Sequence, residues 1–332
     1  MRTLEPTDSA FIPLKSRQLL TLSFKTKTQL MKKIFFLKIF VFTSLVSFSQ
    51  DTTVVYEEIP DAEVEEVTPI ETFYSTRIVN GHSVETLKKG TLEFRVEHRF
   101  GDLAGDNGGI NTLYGLDNAS DIRIAFEYGI TDKLMVGLGR SRGTSLPYRS
   151  LIDGLVKYRL LHQEAGKSPI SATLIGSMFY TYMPSSSLLS DIAAFPKRAH
   201  RFSYSSQLNI AKKFGNRWSL ALMPTYVHRN YVAADDVNGL FSLGSAVNFA
   251  INSKVSLSVE YYNNFQKEDT REKYHNSLSI AVDWVTFGHN FKVYLTNSGG
   301  FGEVQFIPYT NTDWAKGQFR IGFCIARKYM KE

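Results

Sequence analysis

From Thr91 onward, apolar and polar positions alternate with period two through most of the chain. Asp121 to Leu138, Gln207 to Leu222 and Ala246 to Tyr261 each show the same phrase: alternation, a tight turn, then alternation again. Period two puts successive side chains on opposite faces of a sheet, so each phrase predicts a β-hairpin. The pattern predicts strands over 91–101, 120–131, 133–141, 152–162, 169–183, 200–213, 217–229, 239–251, 255–266, 275–286, 290–297 and 316–329. Short connections at Asp132, Gln163 to Ser168, Gly215-Asn216, Asn252-Ser253 and near Gly288 alternate with long ones at 102–119, 142–151, 184–199, 230–238, 267–274 and 298–315. Short turns on one rim and long loops on the other are expected of a membrane barrel. The predicted fold class is therefore all-β: a closed antiparallel transmembrane β-barrel of about twelve strands, with short periplasmic turns and long extracellular loops.

One face of these strands is apolar. It reads Ile122, Ile124, Phe126, Tyr128 on the second strand, Leu134, Val136, Leu138 on the third, and Val255, Leu257, Val259, Tyr261 on the ninth. Trp218, Leu220, Leu222 and Tyr226, then Leu278, Ile280, Val282 and Trp284, continue it. Tyr and Trp fall mostly near strand ends, the depth of lipid headgroups. The opposite face is small or polar: Gly137, Gly139, Ser203, Ser205, Gln207, Asn209, Ser256, Ser258, Ser277 and Ser279. A soluble barrel with its apolar face inward has the same periodicity. Twelve long strands with Gly- and Ser-rich alternate faces favour lipid on the outside.

Charge sharpens this picture. Glu93, Arg95, Glu97 and Arg99 alternate on the first strand; Arg123 and Glu127 face the same way on the second, Asp153, Lys157 and Arg159 on the fourth, and Arg320 on the twelfth. On the lipid side an Arg or Lys costs about 2–4 kcal/mol at the midplane, so these charges are assigned to the lumen. Interleaved signs at side-chain spacing predict ion pairs across neighbouring strands. Such a lattice either fills and stiffens a narrow barrel or lines a water-filled path as a selectivity wall.

Ahead of the barrel, Met31-Lys32-Lys33 opens a basic stretch and Ile34 to Phe48 is apolar but for Lys38, Thr43, Ser44 and Ser47. Ser47 and Ser49 have the spacing of a signal-peptidase site, with cleavage before Gln50. Residues 31–49 are read as a secretory signal peptide and 1–30 as an extension upstream of the true start. The formal charge of +6 then misleads: eight of the 38 Lys and Arg and two of the 32 Asp and Glu lie in residues 1–49, leaving 30 of each sign. No basic surface argues for nucleic acid. Residues 50–71 hold eight acidic residues and no basic one, with Pro60 and Pro69; a disordered periplasmic segment is predicted, open to a periplasmic protein partner. For residues 72–90 two outcomes are open, a plug at the barrel mouth or a short helix capped by Ser83 and stopped by Gly90.

Sites for chemistry are sparse. His82, His98, His162, His200, His228, His275 and His289 lack metal-ligand spacing, and Cys324 is alone, so no metal, cofactor or intrachain disulfide is expected. Asp102, Asp106, Asn107 and Asp117 lie in a glycine-rich loop without the spacing of a calcium hand, and are read as surface. His275 and Ser277 share one strand, with no acid in sight to orient them as a hydrolase would require.

The run Arg95-Val96-Glu97-His98-Arg99-Phe100-Gly101-Asp102-Leu103, the turn Tyr128-Gly129-Ile130-Thr131-Asp132 and the ending Ile325-Ala326-Arg327-Lys328-Tyr329 resemble an uncharacterised family of bacterial outer-membrane β-barrels, a domain of unknown function. The resemblance spans roughly residues 75–330 and implies the architecture, but assigns no functional residue. Phe319, Ile321, Phe323, Ile325 and Tyr329 resemble the carboxy-terminal signal that delivers barrels to their assembly machinery, although Met330-Lys331-Glu332 follow the aromatic. Outer-membrane lipid and that machinery are the expected partners. Three roles remain open at this point: a passive channel or uptake barrel for small solutes, a structural or docking barrel with a charge-filled lumen, and an outer-membrane hydrolase. The leading one is the channel.

Overall fold

The computed structural model describes residues 69–144, 147–189, 191–266 and 273–330. The stretches read above as an upstream extension (1–30) and a signal peptide (31–49), and residues 50–68 of the acidic segment, lie outside the described residues. Twelve strands form: β1 (Leu92–Asp102), β2 (Ala119–Gly129), β3 (Leu134–Arg142), β4 (Ser150–Leu161), β5 (Ser171–Thr181), β6 (Phe202–Phe214), β7 (Trp218–Arg229), β8 (Gly239–Ala250), β9 (Val255–Asn264), β10 (Ser277–Thr286), β11 (His289–Thr296) and β12 (Arg320–Tyr329). Each pairs antiparallel with its neighbour in sequence, and β12 closes on β1, with Val96 opposite Ile325. Closure leaves no strand edge unpaired, which a bilayer core requires.

Side-chain direction follows the alternation. Leu138 is 62% and Val293 59% exposed on the outside, whereas Ser256, Ser279 and Thr296 inside are 0% exposed. That distribution excludes the inward-apolar arrangement of a soluble barrel. Trp218, Trp284, Tyr128 and Tyr329 ring the short-turn rim, and Tyr226 and Tyr261 lie towards the other. Val259 sits mid-strand on β9, opposite Ile280 and Val247. Val259→Arg is therefore expected to lower the free energy of folding into lipid vesicles by about 2–4 kcal/mol, read from urea titration.

Three details differ from the sequence expectation. Residues 83–89 form no helix. Ser83 Oγ does accept the Glu85 amide (3.1 Å), but this makes a local turn, and the following backbone bonds to barrel side chains instead of to itself. β12 begins at Arg320 rather than 316, because Trp314–Lys316 closes a single 3-10 turn: Asp313 accepts from the Ala315 amide, and Gly317 (φ 69°) ends it in the left-handed region. The connection after β11 is not a plain surface loop. Its residues Phe301, Val304, Phe306 and Ile307 are all buried, and Glu303–Phe306 forms a helical turn inside the barrel.

Candidate functional site

The lumen is occupied by the chain itself. A strap, residues 70–90, enters at the β4–β5 turn, where the Ile70 amide donates to Gln163 O (2.9 Å). It leaves at the β2–β3 turn, where Lys89 N meets Asp132 Oδ1 (2.9 Å) and Gly90 N meets Gly129 O (2.8 Å). Both ends are at the short-turn rim, so the strap is a hairpin pushed up into the barrel. Its limbs are tied by Ser83 N to Thr76 O (3.0 Å), and its tip is a tight turn from Ile78 to Gly81. A Cβ at Gly81 would lie 2.0 Å from the Tyr262 hydroxyl, so any larger residue there must displace that buried ring.

Most hydrogen bonds between the strap and the barrel are made by side chains of the wall. Glu260 on β9 accepts the amides of Val79 (3.0 Å), Asn80 (2.9 Å) and Gly81 (3.0 Å), so one carboxylate cradles the whole tip. Lys292 on β11 donates to the carbonyls of Arg77 (2.8 Å) and Ile78, and is paired with Asp283 on β10 (3.2 Å). Lys157 donates to Thr76 O (3.0 Å), Thr173 to Val84 O (2.7 Å) and Ser219 to Thr72 O (2.7 Å). Asn80 donates to Ser277 and Ser279 and accepts from Arg99. A short stretch without secondary structure carries many backbone groups that must be paired once buried; here the serines, threonines and charges of the wall pair them.

The predicted charged residues divide between wall and strap. Arg123 bridges two carboxylates, Glu97 on β1 (2.7 Å) and Asp153 on β4 (2.7 Å). The second reach crosses β3, and Gly139 makes it possible: a Cβ there would lie 2.6 Å from the Arg123 guanidinium and from both Asp153 oxygens. Arg95 pairs with Glu93 along its own strand (2.6 Å) and also donates to Thr76 Oγ1 (2.8 Å), which in turn donates to Glu127 (3.1 Å). Arg159 holds Glu85 of the strap (3.1 Å), and Glu85 also accepts the Thr72 amide (2.8 Å), clasping the two limbs together. Lys157 is committed to the strap backbone. Arg99 bonds the carbonyls of Ser298 (3.1 Å) and Gly300 (2.5 Å) and stacks on Phe301 at 4.4 Å. Arg320 stands apart near the long-loop rim, donating to Ser120 Oγ (2.9 Å) and Phe100 O (3.3 Å).

Above the strap, residues 298–310 close the lumen from the opposite end. Phe306 packs edge-on against Tyr262 (5.1 Å between centroids), and Val304, Phe306 and Ile307 share an apolar cluster with Ile78, Val79 and Val84 of the strap. Glu303 and His82 approach to 3.2 Å across this junction. Asn264 and Gln266 donate to the carbonyls of Ile307 and Pro308, anchoring the loop to the barrel rim. Beyond it, a polar vestibule of about 610 Å³ opens outward, walled in part by Asp102, Asn107, Asp117, Asn311 and Gln318.

Sequence reasoning passed over Glu260, Lys292 and Asp283. All three were visible as lone charges at inward positions, the last two in direct register across β10 and β11. The apolar run Val304, Phe306, Ile307, Tyr309 within a connection was a comparable sign of an inward loop. The histidines are scattered, and among the described residues no group of three or more His, Cys, Asp or Glu is placed to hold a metal.

Among solved structures, the chain is similar to the NanC porin (9% identity, covering 73% of this chain and 100% of that one, TM-score 0.42) and the KdgM porin (9%, 73% and 99%, 0.42). It is also similar to an outer membrane channel from Pseudomonas putida F1 (14%, 74% and 98%, 0.39). No curated protein matches. A family model described as "Membrane bound beta barrel domain (DUF5777)" matches residues 73–329, from within the strap to the last residue of β12, and the chain belongs to that family.

Proposed function

We propose that this protein is an outer-membrane channel for small polar solutes, exported by the leader at 31–49 and closed in this state by its own strap. The observation that carries the reading is the chemistry of the interface between strap and wall. Buried polar groups must be hydrogen-bonded, and the wall's Ser, Thr, Asn, Glu and Lys groups bond the strap here. Water would serve those groups equally well once the strap left, so the same wall is stable filled or wet. A lumen packed wholly with apolar side chains would have no second state of that kind. The reading is non-catalytic. Ser277 Oγ accepts from Asn80 (3.1 Å) and Ser298 (2.7 Å), and no hydrogen bond joins it to His275 among the described residues.

The test is conductance in planar bilayers. The mature protein is expected to be silent or to open rarely, and a variant lacking residues 69–88 to give discrete, sustained steps. Heat-dependent gel mobility confirms that the variant barrel is folded. Silence of the folded variant across salts and voltages would overturn the channel reading. It would favour the second one, a docking barrel, which the filled lumen also supports; a pull-down with residues 50–90 would then be expected to recover a periplasmic partner.

A further inference from the structure

We propose that a lipid-facing groove on β2, β3 and β4 is a binding site for a phosphate-bearing lipid of the outer leaflet. Its phosphate would be held by Arg140 and Arg142 and an acyl chain would lie along Ile124, Phe126, Leu138 and Ile152. The inference rests on the outer-membrane placement above but not on conduction.

The outward face of β3 reads Leu134, Val136, Leu138, Arg140, Arg142. The apolar sequence ends in two guanidinium groups at the long-loop end of the strand. In register, Arg140 lies between Ile124 and Ile152, and Arg142 between Ile122 and Ser150. Both are exposed. Among the described residues, no carboxylate is within ion-pair distance of either, and no hydrogen bond engages either side chain. Arg140 does have an aromatic support, its guanidinium lying 5.1 Å from the Tyr182 ring centroid. Inside the same barrel Arg95, Arg99 and Arg123 are each hydrogen-bonded or ion-paired, so two guanidiniums on the bilayer side without a polar partner among the described residues are a marked contrast.

A charged side chain facing lipid is costly unless it reaches the headgroup layer or finds a counter-charge. Phosphate answers both requirements: it resides at that depth, and it accepts charge-assisted, forked hydrogen bonds from arginine. Directly below the arginines, the surface forms a groove of about 380 Å³ lined by Ile124, Phe126, Leu138 and Ile152. Gly154, opposite Leu138 on β4, leaves the surface open beside this groove, because a Cβ there would meet nothing within 4 Å. The groove faces the bilayer, so its natural occupant is an acyl chain, continuous with a headgroup at the arginines. A soluble phosphate has no use for the groove.

The test uses the full mature chain in detergent, titrated with diphosphoryl lipid A and read by native mass spectrometry. Saturable binding of one lipid is expected. The double variant Arg140→Gln/Arg142→Gln should bind at least about tenfold more weakly, since two charge-assisted contacts are lost. Lipid A stripped of its phosphates should bind the native barrel comparably weakly. Gly154→Leu, which adds bulk beside Leu138 at the groove's edge and leaves both arginines in place, should also weaken binding. Equal affinity of the double variant and the native barrel would overturn the proposal, as would equal affinity for the phosphate-free lipid. Displacement by millimolar inorganic phosphate, with Gly154→Leu without effect, would overturn the lipid as occupant. A silent channel in the conductance experiment leaves each of these outcomes readable.

Discussion

Glu260→Ala is expected to unseat the strap while leaving the barrel wall intact. Three amides, of Val79, Asn80 and Gly81, converge on this one carboxylate at 2.9–3.0 Å. Alanine removes the acceptor and leaves three buried donors unpaired, each costing about 1–3 kcal/mol. A loss of even about 3 kcal/mol shifts the ratio of seated to released strap by more than about a hundredfold. The wall itself loses little, because Glu260 is not one of the strand-to-strand ion pairs. Two measurements follow: hydrogen exchange at Val79, Asn80 and Gly81 should accelerate by the same factor, and channel openings should become frequent. Glu260→Gln, which keeps one carbonyl oxygen, should lie between the two. If Glu260→Ala folds but exchanges at the native rate, the tip is held by its apolar contacts with Phe306 and Tyr262, and the polar cradle is secondary.

The barrel was legible in the sequence for a simple reason. Strand periodicity is local: Ile122, Ile124 and Phe126 declare their common face within five residues, and Gly288 declares its turn on its own. The charged lumen was legible by elimination, since lipid tolerates Glu93, Arg95 and Arg123 so poorly. The strap is different. Its burial has no period, because its neighbours are Glu260, Lys292, Lys157, Thr173 and Ser219 on strands lying around the barrel. The partners of its backbone groups lie as far as 215 positions away along the chain. Ser83 shows how local rules mislead in such a stretch: its hydroxyl does what a helix cap does, yet the backbone beyond it is claimed by Thr173. The same holds for the loop after β11, whose apolar residues meet Ile78 and Val79 of the strap and Tyr262 of the wall, all distant in sequence.

Arg123→Met is expected to be the most destabilising single change in the wall. The guanidinium is 3% exposed, and it neutralises Glu97 and Asp153 at once, the latter through two hydrogen bonds of 3.1 and 2.7 Å. Methionine fills much of the volume but leaves two buried carboxylates without their counter-charge, a loss of about 3–5 kcal/mol for a broken buried pair. Urea titration of the barrel in vesicles should show it. The triple variant Arg123→Met/Glu97→Gln/Asp153→Asn removes every charge of the bridge together and should recover most of the loss, because the cost lies in the unpaired ions rather than in the absent salt bridge. Gly139→Ala offers an independent route to the same bridge. Its new methyl group would sit 2.6 Å from the guanidinium and both Asp153 oxygens, so arginine must give up Asp153 while keeping Glu97. Its effect should be smaller than that of Arg123→Met and should nearly vanish in the Arg123→Met background. Additive losses from the two would mean that Gly139 is needed for the strand itself and not for the reach of Arg123 across it.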